Sequence, residues 1–135
     1  MTYPIREISG IGPDVADRLK SVGIRTTTSL LDAAKGPKER KRLAEKTGLD
    51  EKRILSWANT ADRMRIKGVG ADYAGLLQAA GVDTVKELKY RNPAKLARAM
   101  AEANAKRKLV RVLPSKRAVV RWIDQAKRLP PKISY

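Results

Sequence analysis

Apolar residues recur along this chain at three- and four-residue spacings, and short breaks of Gly, Pro, Thr and Asp separate the runs. That period is the mark of amphipathic helices. A lead-in over 4–8 turns Ile5 and Ile8 inward. Val15, Ala16 and Leu19 then predict a helix over about 13–21, with Pro13 at its start and Gly23 closing it. Thr26 or Thr27 caps the next helix, which buries Leu30, Leu31 and Ala34 and breaks at Gly36-Pro37. A helix over about 37–46 puts Leu43 inward and Lys38, Arg40, Lys41 and Arg42 on its surface. After the turn Thr47-Gly48-Leu49-Asp50, a longer helix carries Ile54, Leu55, Trp57, Ala58 and Ala61 to about Arg65, with Asp50 as its N-cap.

The pattern then restarts. An offset of 58 sets Ile8 on Ile66, Gly10 on Gly68, Gly12 on Gly70 and Ala16 on Ala74. It also sets Leu19 on Leu77, Gly23 on Gly81, Thr26 on Thr84 and Leu30 on Leu88. This is an internal repeat. Thr84 with Glu87 reads as a capping box, and Asn92-Pro93 as an N-cap followed by proline at the first helical position. Leu96, Met100 and Ala103 continue that helix. The last one starts near Ser115 and carries Val119, Val120, Trp122, Ile123 and Ala126. Trp122 matches Trp57 at an offset of 65, so seven residues are inserted in the second copy, near 104–112. Pro130-Pro131 stops the last helix and leaves 132–135 as a tail. The fold class expected is all-α, in two similar units of about five short helices, 1–65 and 66–135, packed together without a flexible linker.

Each unit opens on a Gly-apolar-Gly triplet: Gly10, Ile11 and Gly12, then Gly68, Val69 and Gly70. Glycine permits positive φ and close backbone approach. The helix start that follows leaves N–H groups unpaired and carries partial positive charge, so such a hairpin can accept a phosphate. Lys67 stands directly before the second triplet, with Arg63 and Arg65 one turn back and Asp72 as the one opposing acid. Asp14 and Asp17 flank the first triplet and repel phosphate. Whether the first hairpin binds phosphate or is only structural stays open.

Charge sharpens this picture. The chain carries 30 Lys+Arg against 14 Asp+Glu, a net charge of +16, which points to a polyanionic partner. Residues 1–65 contribute net +5 and residues 66–135 net +11. Lys106, Arg107, Lys108 and Arg111 fall in the insertion. Lys116, Arg117 and Arg121 continue the basic surface on the last helix, where Asp124 is spaced to pair with Arg121. Cys and His are absent, which excludes disulfides, thiolate or imidazole metal sites and histidine acid–base chemistry. No carboxylate cluster suggests a metal nuclease, and no lysine sits in an apolar run that would mark it as a nucleophile. No cofactor, metal or catalytic residue is expected, and no apolar run is long enough to span a bilayer. Trp57 and Trp122, at equivalent places on amphipathic helices, read as core rather than as base-stacking platforms, and Tyr73 reads as core beside them.

The stretch from Ile8 to Leu19, followed by Val22-Gly23-Ile24-Arg25-Thr26, resembles a helix-hairpin-helix DNA-binding motif of the SAM-like all-α type. It is similar to the N-terminal domain of RadA-type recombinases and, more distantly, to the C-terminal domain of the bacterial RNA polymerase alpha subunit. The whole chain also looks like an uncharacterised bacterial family of tandem helix-hairpin-helix proteins. The resemblance implies phosphate contacts from backbone N–H groups at Gly10, Ile11 and Gly12 and at Gly68, Val69 and Gly70. It also implies a second, degenerate hairpin in each unit, at 47–50 and 113–115, where Pro114 has no N–H to donate.

The function expected is non-catalytic, sequence-independent DNA binding in the cytoplasm, on the nucleoid. About six phosphate contacts would give a log–log salt slope of about −5. Two alternatives remain: a scaffold for an acidic protein partner, favoured by an exposed apolar patch on the less basic first unit, or an RNA- or ribosome-associated protein. Oligomeric state is not legible.

Overall fold

The computed structural model describes residues 2–135. Among them a 3-10 turn, Ile5–Glu7, precedes eight α-helices: α1 Pro13–Ser21, α2 Thr27–Ala33, α3 Pro37–Thr47, α4 Glu51–Arg63, α5 Ala71–Ala79, α6 Val85–Leu88, α7 Pro93–Arg107 and α8 Lys116–Arg128. The fold is all-α. No described helix is long and apolar enough to cross a membrane.

Local chemistry sets the helix starts. Thr26 accepts the Ser29 N–H at 3.1 Å while Ser29 accepts the Thr26 N–H at 3.2 Å, a reciprocal cap on α2. Thr84 caps α6 through the Glu87 N–H, but the Glu87 carboxylate reaches back to Asp83 N–H rather than to Thr84. Asn92 and Ser115 cap α7 and α8. Asp50 occupies the N-cap of α4 without a side-chain bond, and α4 stops at Arg63, short of Arg65.

The 58-residue repeat recurs in geometry. Ile11 N–H donates to Ile8 at 3.1 Å and Val69 N–H to Ile66 at 3.0 Å. Ile24 N–H returns to Leu19 and Val82 N–H to Leu77, both at 2.9 Å. Gly10 has φ +91 and Gly68 φ +92. A Cβ on Gly10 would lie 3.2 Å from the Trp57 indole nitrogen, and one on Gly68 3.3 Å from that of Trp122. Each first glycine is therefore favoured by its left-handed backbone, and a Cβ there would also crowd the indole below it. The second glycines differ: Gly70 has φ −87 and open space where a Cβ would go. Gly68→Ala should thus cost about 1–2 kcal/mol, whereas Gly70→Ala should leave the urea midpoint where it was.

One continuous cluster of buried apolar residues runs from Ile5 to Ala126 and joins the two halves. Trp57 and Trp122 are both 4% exposed, core residues as expected. Val120, expected inside, is exposed on α8.

The halves differ in how their first helix pair is braced. In the first half an extended segment does it: Ile5 N–H donates to Arg25 C=O at 3.1 Å, and Thr27 N–H to Tyr3 C=O at 2.8 Å. In the second half the chain arrives as α4, whose backbone groups are spent within the helix. Side chains take over. Arg63 Nη1 donates to Asp83 C=O at 2.8 Å, and the Asp62 carboxylate accepts Val85 N–H at 2.8 Å. Asp83 and Val85 are the 58-residue equivalents of Arg25 and Thr27, so two side chains reproduce a pair of backbone bonds.

The segment after α8 is docked rather than a loose tail. Ser134 N–H donates to Lys35 C=O at 2.8 Å, Arg40 Nη2 to Ser134 C=O at 2.8 Å, and Tyr135 O–H to Asn59 at 3.1 Å. Arg40, expected on the surface, is 5% exposed because it turns inward to hold this segment and the Ala34 carbonyl.

The inserted residues form an extra turn of α7 and the connection over 108–115. Lys108 adopts the left-handed conformation (φ 49) and closes α7 on Asn104 C=O, as Gly48 (φ +74) closes α3 on Ala44 C=O. The equivalent of the 47–50 turn therefore begins at Lys108, not at 113–115. Sequence spacing missed this because Lys108 stands where glycine would be expected.

Candidate nucleic-acid interface

The second glycine hairpin is a row of backbone donors at the start of α5. The N–H groups of Gly68, Gly70, Ala71, Asp72 and Tyr73 have no partner among the described residues. Tyr73 and Asp72 belong to the first turn of α5, where N–H groups have no carbonyl a turn earlier to bond. Val69 is different. It is fully buried and its N–H is spent on Ile66, so it positions the hairpin and offers no donor. Ile11, 5% exposed and bonded to Ile8, does the same in the first hairpin. The expected N–H contacts of both apolar residues are corrected accordingly.

Three polar side chains whose contacts the sequence did not suggest hold this place. Gln125 on α8 accepts the Lys67 N–H at 3.0 Å and donates to the Lys67 C=O at 3.4 Å. It fixes the Lys67 backbone while the side chain stays exposed. Asn104 accepts the Val110 N–H at 2.9 Å and donates to the Val110 C=O at 3.1 Å, and Tyr73 O–H donates to Val112 C=O at 2.9 Å. These bonds lay the inserted segment beside the hairpin. Tyr73 is half-buried and tilts against Trp122, ring centroids 5.4 Å apart. An amide side chain bonding both backbone groups of one residue leaves no signature in the sequence.

Gly68 lies between two open grooves. One, of about 630 Å³, is shared by Gly70, Asp72, Arg111 and Glu7. The other, of about 620 Å³, is lined by Lys67, Arg121, Gln125 and the inserted residues Val112 and Leu113. Lys67, Arg111 and Arg121 are thus brought to the hairpin from three separate elements. Glu7 and Asp72 are the acids that face it. Lys106, Arg107, Lys108, Lys116 and Arg117 are exposed at the adjoining ends of α7 and α8 and line neither groove. Arg121 and Asp124 form no ion pair among the described residues, so the Arg121 charge is not neutralised on its own helix.

Arg63 and Arg65 do not belong here. Arg63 is 2% exposed, and its guanidinium donates to Ala74 C=O at 2.8 Å, to Asp83 C=O at 2.8 Å and to Thr60 Oγ1 at 3.1 Å. Burial lowers its pKa to about 10, with Asp83, Asp62 and Glu87 opposing the shift, so it remains a cation at neutral pH. Arg65 pairs with Asp62 at 2.8 Å and donates to Pro130 C=O at 2.8 Å. Both are parts of the joint between the halves, and neither is offered to a ligand.

A family model described as Domain of unknown function (DUF4332) matches residues 9–129. The chain belongs to the DUF4332 family. No curated protein and no solved structure matches it. The DUF4332 span contains both glycine hairpins, all eight helices and the inserted segment, and it stops before the docked C-terminal residues.

The first hairpin has the same backbone course and different surroundings. Pro13 stands where Ala71 stands in the second, which removes one N–H from the row. Gly10, Gly12, Asp14 and Val15 keep N–H groups without partners among the described residues. Asp14 pairs with Arg18 at 3.3 Å. Arg53 is drawn over the Trp57 ring at 4.9 Å and toward Gly10 C=O at 3.5 Å.

Proposed function

We propose that this chain binds nucleic acid, DNA in preference to RNA, without reading base sequence, and that it does so as two tandem helix-hairpin-helix units of the kind found in RadA-type recombinases, 1–65 and 66–135. The carrying observation is the set of unpartnered N–H groups of Gly68, Gly70, Ala71, Asp72 and Tyr73 beside Lys67, Arg111 and Arg121. Backbone N–H groups at a helix start take a phosphate oxygen directly, and the three cations neutralise its neighbours along the strand. Lys106, Arg107, Lys108, Lys116 and Arg117 extend the contact. Among the described residues no exposed helix presents a set of Asn, Gln and Arg at recognition spacing, which favours backbone over base contact. The role is non-catalytic and without cofactor, and the cytoplasm, on the nucleoid, is its place.

Removing Arg63 and Arg65 from the contact set lowers the number of phosphates to four or five. The log–log salt slope for duplex DNA should then be about −4 rather than about −5. A fluorescence-anisotropy titration from about 50 to 200 mM salt, run with duplex DNA, single-stranded DNA and RNA, measures it. An affinity indifferent to salt would end the reading, and tighter binding to RNA would reassign the ligand. The scaffold alternative asked for an exposed apolar patch on the first half. The large apolar side chains left exposed, Tyr90, Val112, Leu113, Val120 and Tyr135, all lie in the second, which weighs against it.

A further inference from the structure

Two adjacent apolar side chains of the inserted segment stand in solvent. Val112 is 72% exposed and Leu113 42%. The backbone that carries them is pinned on both sides. Asn104 clamps Val110, Tyr73 O–H holds Val112 C=O, and Ser115 caps α8 through the Ala118 N–H at 3.0 Å. The corresponding connection of the first half, between α3 and α4, is the short turn of Gly48, Leu49 and Asp50, in which Leu49 is buried. The second half thus holds a largely exposed apolar tip in a defined position beside the groove of Tyr73, Ala118 and Trp122. Nothing in the packing of the chain requires this.

The surroundings select an occupant. The tip borders the groove of Lys67 and Arg121 on one side and that of Arg111, Glu7 and Asp72 on the other, with Gly68 between them. Two cations, Lys67 and Arg121, beside an apolar ridge suit a minor groove, with phosphates at the lip and sugar and base edge on the floor beneath the ridge. A protein partner would have to present acidic and apolar surface in the same narrow order. We propose that Val112 and Leu113 form a wedge that enters the minor groove of duplex DNA next to the phosphate held at Gly68 and Gly70, and that it unstacks the base step it meets. Apolar side chains inserted in this way kink the duplex toward the major groove. The wedge rests on the DNA-binding reading above and adds duplex preference to it, because single strands have no minor groove to enter.

The test uses the full chain and mixed-sequence duplexes carrying 2-aminopurine at successive positions, with anisotropy followed in the same samples. Val112→Ser with Leu113→Ser is the wedge variant, and Val120→Ser, exposed on α8, is the control. Wild type and Val120→Ser should raise 2-aminopurine fluorescence on saturation. The double variant should keep the salt slope, bind several-fold more weakly and lose the rise. Salt-dependent duplex binding by wild type with no rise at any position overturns the wedge and leaves the DNA reading standing. So does a rise that survives in the double variant. A wild-type dimer in sedimentation that the double variant dissolves would assign the tip to a second copy instead. Failure of wild type to bind duplex at all overturns both readings, and does so in the anisotropy alone.

Discussion

Arg63→Met is expected to lower the free energy of unfolding by about 3–5 kcal/mol, although Arg63 was legible in the sequence only as one more surface cation. Methionine restores much of the volume and none of the donors. Asp83 C=O would lose its donor and Ala74 C=O, inside α5, the second of its two, and an unsatisfied group costs about 1–3 kcal/mol. Asp62 would lose the buried cation beside it while still holding Val85 N–H and Arg65. For a chain of this size the loss corresponds to a fall in Tm of roughly 10 °C or more. Arg63→Lys should recover part of it, since an ammonium can reach one of these carbonyls but lacks the planar fork that serves both. Urea denaturation followed by circular dichroism reads all three proteins. Wild-type stability in Arg63→Met would mean that the α4 side chains do not brace the second half.

The same residue shows where sequence reading stops. The repeat, the all-α class, most helix limits and the two core tryptophans follow from apolar spacing and from glycine, proline and cap residues, each of which acts over a few neighbours. Arg63 and Asp62 act over longer range. Their role appears only once Ile5 is set on Arg63 and Tyr3 is seen to have no backbone counterpart, because α4 has replaced an extended segment. An arginine next to a glycine hairpin has identical composition whether it faces a phosphate or a carbonyl. Burial decides, and burial is a property of the packed helices. Lys108 makes the converse point. Its left-handed backbone is held by the Asn104 carbonyl and by the Asn104 side chain on Val110, so a position that looked like insertion is the end of α7. The candidate interface divides along the same line. Its glycines were legible, and so was the charge. The division of labour within the triplet was not, in which Val69 is buried as an anchor and the N–H groups of Gly68, Gly70 and the first turn of α5 remain open.

That division makes a clean perturbation available. Lys67→Glu combined with Gly70→Ala is expected to weaken duplex DNA binding by about ten- to a hundredfold at low salt and to reduce the salt slope by about one to two. The fold should not notice. The Lys67 side chain is exposed, and Gln125 holds only its backbone. Gly70 has an ordinary extended backbone and no atom within 4 Å of the added Cβ. That open space is where a phosphate oxygen would approach the N–H row, so the methyl group obstructs the ligand and nothing else. Reversing the charge at position 67 adds repulsion at the same point. Gly68→Ala would be a poor substitute, because strain at φ +92 and contact with Trp122 would confuse folding with binding. The matched change at the first hairpin, Ser9→Glu with Gly12→Ala, should weaken binding less. Pro13 has already removed one donor there, Asp14 already opposes phosphate, and Arg53 is engaged with Trp57. Anisotropy titrations of the two double variants, with circular dichroism as the control for folding, rank the hairpins directly. Undiminished binding by a folded Lys67→Glu, Gly70→Ala protein would remove the second hairpin from the interface, and a larger loss at the first would reverse their order.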